Sequence, residues 1–473
     1  MNKKLDYLIV FLVSFITYLW SMAPTIWWGD TGDLITSAYV LGVPHPTGYP
    51  TYVLLAKIFT FLPIGDIAFR VNLMSVFFGA LTILFVYICT LLLTKKKVAG
   101  YIAAFSLTFS AIFWSQALIA EVYVLSAFFL VFSFYFLLRW RENGEKKYLY
   151  LLGLFFGIGL GVHRSLALFI PAILVYLGLY SKQIKWKNLI IAFLLLLLGL
   201  SVYAYLPLAS MNDPLQDWGN PANLDNFIWL VQGKQYTERY FKLDGFFQRV
   251  ANSFNFLISQ FIVLGFSLVG IYYFIKKDWK FLLFGLTGVG FNFLFAGFYD
   301  IPDLMVYYIP TFIIFSIFIG SGIEFLLDEF FRGKFKKVLG IAIIFLVVLS
   351  GFLLYYPGVS LRNDYSAREF GERALNIVDK DALLFTKSDV VFIFWYLQNV
   401  EGLRRDVVVI NQVMLPMDWY RNLLSRINPG VIIDSDIDKV LNMNKDKRSI
   451  YYADVNYSQM SYKELSKKSP VKI

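Results

Sequence analysis

The sequence predicts an all-α polytopic membrane protein of about eleven transmembrane helices, followed by a small C-terminal α/β domain outside the membrane. Three observations carry that prediction. Of the 473 residues, 58% are hydrophobic and only 16% charged, with a mean hydropathy of +0.60, and the apolar residues gather into runs near the ~20 residues a helix needs to cross a bilayer. Charge is uneven: residues 1–357 hold 44 charged side chains, about 12% of that stretch, and residues 358–473 hold 32, about 28%. The chain therefore divides into membrane domain 1–357 and α/β domain 358–473. The basic residues of the first part also alternate sharply from loop to loop. A soluble enzyme is excluded, and the net charge of +10 reflects topology rather than a nucleic-acid partner.

The expected spans are 5–22, 68–94, 98–114, 122–139, 148–162, 166–181, 188–206, 253–275, 281–298, 305–327 and 338–356. The first begins like a signal peptide, with Lys3 and Lys4 before an apolar core. It lacks a small-residue cleavage site ahead of Trp27 and Trp28, so it is expected to be retained. With the N-terminus in the cytoplasm, nineteen Lys/Arg of the membrane part fall in inside segments, including Lys95–Lys97, Arg139, Arg141, Lys276, Lys277 and Lys336. Seven fall outside: Lys57, Arg70, Arg164, Lys234, Arg239, Lys242 and Arg249. That asymmetry favours an inside N-terminus, and an odd span count then places the tail outside. Cys89, the single cysteine, lies within a span, so neither a disulfide framework nor a thiolate metal site is expected.

The same topology collects the unusual residues on one face. The outside segments carry Asp30 and Asp33 in WWGDTGDL, His45 in GVPHPTGYP, Glu121 and Tyr123 in AEVY, His163 and Arg164 in HRS, and Asp300 and Asp303 in FYDIPD. Both histidines of the chain are among them. Asp30 and Asp33 share a helix face if a helix starts there, and a partly desolvated carboxylate has its pKa raised toward a general base's working range. Helix capping is the competing role. Prolines on both sides of His45 fix its turn and leave it either a substrate contact or loop support. Glu121 begins a span, where an ionisable residue marks function by default or pairs with Arg164. The Arg164 guanidinium suits a bidentate grip on phosphate. Trp27, Trp28 and Trp218 offer flat faces to a sugar ring, or form an interfacial belt. Residues 207–252 make the longest outside loop. Its FIWLVQG stretch reads as an interfacial amphipathic helix, and the loop is a candidate to close over a donor or present an acceptor.

The tail reads as a helix near 364–378, buried parallel strands in DALLFTK and DVVVINQ, and a helix near 389–400 between them. It has no glycine-rich phosphate loop and no Cys/His metal spacing. It is expected to recognise the acceptor or to pack, not to form a second active site.

The series WWGDTGDLITSAYVLGVPHPTGYPTYVLLAKIF, WSQALIAEVYVLSAFF, GVHRSLALFIPAIL, YLPLASMNDPLQDWGNP with VQGKQY, and FYDIPD before YYIP resembles a bacterial membrane-protein family. That family is related to a eukaryotic transmembrane protein O-mannosyltransferase of plexin-type (IPT) domains. The tail segments NDYSAREF, TKSDVVFIFWYLQNVEGLRRDVVVINQVML and DWYRNLL match it as well, so the resemblance runs to about residue 425. It implies a GT-C superfamily glycosyltransferase that moves a sugar, mannose in the eukaryotic relative, from a polyprenyl-phosphate donor. The acceptor is a hydroxyl on a protein or glycan, at the outer face of the bacterial cytoplasmic membrane. Asp30 matches the family's catalytic base. The family often has Gly-Asp-Ser-Gly-Glu where this chain has Gly29-Asp30-Thr31-Gly32-Asp33, and a histidine or asparagine where it has Arg164.

On this reading Asp30, Asp33 and Glu121 are the catalytic candidates. His45, Tyr123, His163, Arg164, Trp218, Arg239, Asp300 and Asp303 are the substrate-binding ones. No redox cofactor is called for. Asp30, Asp33, Asp300 and Asp303 offer oxygen ligands to a divalent metal, but nothing in their spacing demands one. The competing classes are a lipid-linked polysaccharide ligase or polymerase and a transporter. The last is disfavoured because the spans are nearly free of charge.

Overall fold

A computed structural model describes residues 3–261, 264–387 and 389–453. Among them, seven helices are long and apolar enough to cross a membrane: Lys3–Ser21, Ile67–Thr94, Val122–Asn143, Trp186–Ser210, Trp279–Phe298, Leu304–Phe330 and Gly333–Val359. Each coincides with an expected span. The other four expected spans are shorter or interrupted helices. The 98–114 span is divided into Lys97–Thr108 and Ala111–Gln116, 148–162 is Lys146–Leu160, and 166–181 is the apolar stretch Arg164–Leu179. The 253–275 span falls across Phe246–Gln260 and Phe266–Lys277. Among the described residues, seven helices thus meet the length of a full span, and the expected count of eleven includes apolar runs that form shorter helices.

Local chemistry sets several of the helix starts. The Asp66 carboxylate accepts from the Phe69 amide at 2.7 Å to open Ile67–Thr94, and the Asp278 side chain accepts from Phe281 to open Trp279–Phe298, as N-caps do. Small residues then let helices touch. A Cβ on Gly153 of Lys146–Leu160 would strike the Ala192 carbonyl of the helix Trp186–Leu200, the close approach that membrane helices use in place of a hydrophobic driving force.

The tail forms a three-stranded parallel sheet of β1 (Leu383–Thr386), β2 (Val408–Asn411) and β3 (Ile450–Tyr452), in the order β2-β1-β3. Leu383 stands beside Val408 on one side and Ile450 on the other. The expected helices appear at Ser366–Ile377 and Val391–Asn399. β1 and β2 are buried along their whole length, as parallel strands covered on both faces are. β3 follows the helix Ile437–Asn444 in the stretch after Lys439, and the residues beyond 453 lie outside the described residues.

This α/β unit docks on the first long loop. Every residue of Val391–Gln398 is buried because the helix is covered by its own sheet on one side and by the helix Thr31–Val40 on the other. Gly32 makes that packing possible, since a Cβ there would collide with the Phe392 carbonyl. Polar ties surround the contact. The Trp28 indole donates to Ser366 Oγ at 2.9 Å, Arg368 pairs with Asp66 at 3.2 Å, and Arg426 reaches Asp213 and the Pro214 carbonyl.

Candidate active site

The site is built on the helix Thr31–Val40 and the turn that follows it. Asp30 occupies the N-cap position, but its side chain makes no capping hydrogen bond. Capping therefore does not explain the residue. Its carboxylate keeps 44% of its surface accessible and faces His45, whose Nε2 lies 3.5 Å from Asp30 Oδ2.

Asp33 lies one turn further along and is fully buried. Its Oδ2 accepts from both His45 Nδ1, at 2.6 Å, and the His45 amide, at 3.0 Å. The Gln216 side-chain amide donates to Oδ1 of the same carboxylate and to the Asp33 carbonyl. Asp33 thus orients the imidazole and faces no open space. Gln216 arrives from the later loop through a short parallel bridge, in which Val43 N donates to the Gln216 carbonyl and Trp218 N to the Val43 carbonyl.

The hydrogen bonds define the charge on His45. The Tyr49 hydroxyl donates to the Pro46 carbonyl at 2.8 Å, which leaves its oxygen to accept from His45 Nε2, 3.0 Å away. With Nδ1–H given to Asp33, both ring nitrogens act as donors, the pattern of an imidazolium. Burial opposes that charge, but Asp30 and Asp33 outweigh it and hold His45 at about 9. Asp30 moves the other way for a carboxylic acid, up to about 6: desolvation by the protein packed around its inner side leads, although the side chain stays open on its outer one, with Asp389, Asp33 and Asp303 adding repulsion against the pull of His45. Between these values the site holds a carboxylate beside an imidazolium.

Glu121, at the start of Val122–Asn143, completes the acidic group. Burial first, then the Asp30 charge, push it well above the usual carboxylate range. Of the two roles the sequence leaves open for Glu121, the ion pair with Arg164 is not formed among the described residues. Arg164 instead donates to the Gln232 carbonyl at 2.6 Å and lies 5.2 Å from the Tyr240 ring centre, bracing the end of the helix Leu224–Gln232. His163 is held low, to about 3, by burial and by the Arg164 and His45 charges. Its Nδ1 accepts from Ser165 N, so it is a neutral hydrogen-bonding ring and not a counter-charge. Tyr49 stacks on it at 5.9 Å, with Tyr123 and Tyr307 against its other sides at 5.4 and 5.5 Å.

The remaining sequence candidates separate. Asp303 stands at the rim, its carboxylate 3.4 Å from the Tyr123 hydroxyl, whereas Asp300 turns to Arg249 at 3.6 Å. Arg239 is exposed, and its carbonyl accepts from the Asp300 amide. Trp218 is buried edge-on to His45 at 6.1 Å and packs on Trp419 at 5.0 Å. It walls the site without presenting a face. Trp27 and Trp28 are likewise buried and serve packing, so neither is a platform for a sugar. Among the described residues no three His, Cys, Asp or Glu form a group that could hold a metal ion, Asp30, Asp33, Asp300 and Asp303 included.

Sequence reasoning did not assign roles to Tyr49, Gln216 or Asp389. Tyr49 was legible as the fourth residue after His45 in the same proline-fixed turn. Gln216 and Asp389 reach the site through tertiary contacts that no local spacing reports.

Comparison with known proteins agrees with the resemblance read from the motifs. Residues 30–188 match the family model described as the protein O-mannosyl-transferase TMEM260 N-terminal domain, and residues 367–468 match TMEM260-associated domain 2. The protein O-mannosyl-transferase TMEM260 of Mus musculus is 26% identical over 447 residues, covering 86% of this chain and 62% of that protein. Its Dictyostelium discoideum counterpart is 25% identical, over 87% of this chain and 58% of its own length. The chain thus spans about three fifths of the length of these curated relatives. The crystal structure of ArnT from Cupriavidus metallidurans bound to undecaprenyl phosphate superposes with a TM-score of 0.62 at 11% identity, over 94% of this chain and 92% of that one. The apo ArnT structure gives 0.64, also at 11% identity, over 96% and 94%. The fold is therefore ArnT-like, in an integral membrane protein related in sequence to the TMEM260 O-mannosyl-transferases.

Proposed function

We propose that this chain is a GT-C glycosyltransferase that moves a hexose, mannose by the names of its relatives, from a polyprenyl-phosphate donor to a protein hydroxyl at the extracytoplasmic face. The observation that carries the reading is Asp30: an accessible carboxylate, raised to about 6 and set against a charged His45. The donor class is supported by the undecaprenyl phosphate of the ArnT complex, and the acceptor class by the printed activity of the relatives.

The chemistry asks little more of the protein than a base, a cation and an oriented pocket. Asp30 takes the proton of the acceptor hydroxyl as its oxygen forms the new bond to the anomeric carbon. The anomeric carbon–oxygen bond to phosphate breaks, and the lipid phosphate leaves with that electron pair. His45, held by Asp33, supplies positive charge next to Asp30, and Arg164, beside His163 in the chain, is the guanidinium assigned to the departing phosphate. Neutral His163, boxed by Tyr49, Tyr123 and Tyr307, is suited to hydrogen-bond a sugar hydroxyl while the rings pack on its apolar face.

A structure with bound polyprenyl phosphate tests the placement. The phosphate is expected within about a side-chain length of Asp30, His163 and Arg164. Density for it only at the lysine-rich end of the bundle would overturn the assignment.

A further inference from the structure

The α/β unit brings a carboxylate of its own to the site. Asp389 Oδ2 lies 3.9 Å from where a Cβ on Gly29 would stand, so it sits over the residue that precedes Asp30. Its position is fixed from both sides. The Asp389 carbonyl accepts from the Phe392 amide at 2.9 Å at the start of the helix Val391–Asn399. That helix is seated on Thr31–Val40 through the Gly32 contact with the Phe392 carbonyl. Trp218, beside His45, also packs on Phe392 and Trp395 of the same helix, at 6.1 and 6.3 Å. The loop carrying Asp30 and the tail thus meet along one glycine-dependent contact, and Asp389 is at its edge.

We propose that Asp389 is a positioning residue for glycosyl transfer: the α/β unit completes the active site by holding a second carboxylate over Gly29, the residue before Asp30. The proposal rests on the reading of Asp30 as base and extends it to the tail, which then contributes to the chemistry as well as to packing. Its physical effect is electrostatic. A like charge disfavours the ionised form of its neighbour, and after burial and the opposing pull of His45, Asp389 is the strongest influence on Asp30, ahead of Asp33 and Asp303. Glu121, Tyr49 and Tyr236 also feel the Asp30 charge. Asp389 thereby keeps Asp30 a stronger base than the first loop alone would make it.

The test is the pH dependence of kcat/KM, measured on the full-length protein in detergent or vesicles with a polyprenyl-phosphate hexose donor. Asp389→Asn is expected to move the acid limb to lower pH, so that its rate relative to the natural protein rises by about two- to fivefold from pH 8 to pH 5. The alkaline limb, set by His45, stays in place. Asp389→Glu restores the natural acid limb, which a merely structural role would not do. If the Asn variant fails to accumulate in membranes, Asp389→Ser carries the same expectation. An acid limb unmoved in folded Asn or Ser variants, with Asp30→Asn inactive, overturns the role of Asp389 and leaves Asp30 as base. Full activity in Asp30→Asn overturns both.

Discussion

The two ends of the helix bundle treat charge in opposite ways. At the lysine-rich end acids are set directly on cations: Lys95 with Glu142 at 2.6 Å, Lys96 with Asp328 at 3.1 Å, Lys97 with Asp6 at 2.5 Å, and Arg141 with Asp278. At the other end Asp30, Asp33 and Glu121 gather near one imidazole, with Asp303 at the rim and Asp389 arriving from the tail. The first arrangement neutralises charge pair by pair and holds helices together. The second crowds carboxylates around the His45 imidazole, so the proton affinities of Asp30 and His45 both rise, and that of Asp30 moves toward the range in which groups exchange protons near neutral pH. Polarity alone does not make a site; the imbalance among neighbouring charges does.

That contrast breaks most sharply at Asp30. Asp30→Asn removes the accessible carboxylate that faces His45 and is expected to lower kcat by about 10²–10⁴-fold, the range of general-base catalysis, as read by sugar transfer from a polyprenyl-phosphate donor. Donor binding by the same variant is expected to persist. Asp33→Asn acts one step removed, through His45. Loss of the buried carboxylate weakens the imidazolium, so the alkaline limb of activity moves to lower pH, and kcat falls less than in Asp30→Asn. Gly32→Ala forces the α/β unit away from Thr31–Val40, at a cost of about 1–3 kcal/mol, seen as a lower midpoint of thermal unfolding. At the opposite end, Lys95→Ala breaks a pair whose lysine is 65% exposed. It is expected to change stability by no more than about 1 kcal/mol and turnover not at all. A loss of transfer there comparable to that of Asp30→Asn would erase the distinction between the ends.

Much of this was legible before any coordinates. The seven long spans follow from uninterrupted apolar runs, and the tail's strands from LLFT and VVIN between helical stretches. Asp30 and His45 stood out because an acid and a proline-fixed histidine are rare between apolar segments. What spacing could not report was depth. Asp33 and Asp30 share a spacing motif, yet one is buried beneath His45 and the other open. Trp27, Trp28 and Trp218 read either as sugar platforms or as an interfacial belt, yet all three are buried, Trp28 and Trp218 against the α/β unit. Glu121 and Arg164 have opposite charges at neighbouring span ends, and Arg164 finds a backbone carbonyl instead. The tail itself reads as a separate domain by composition, while its most apolar helix, Val391–Asn399, is buried against the first loop. In each case the deciding contact joins residues far apart in sequence.

The central claim, that the carboxylate and imidazolium of Asp30 and His45 are the proton-handling pair, is tested most directly by the pH profile of kcat/KM for the unaltered protein. Asp30 must be ionised to act as base, so activity is expected to rise as pH passes about 6. His45 must keep its proton to supply charge, so activity is expected to fall as pH passes about 9. A bell with those two limbs is the result predicted. A rate that stays level from pH 5 to pH 10, under conditions where the protein remains folded, would contradict it.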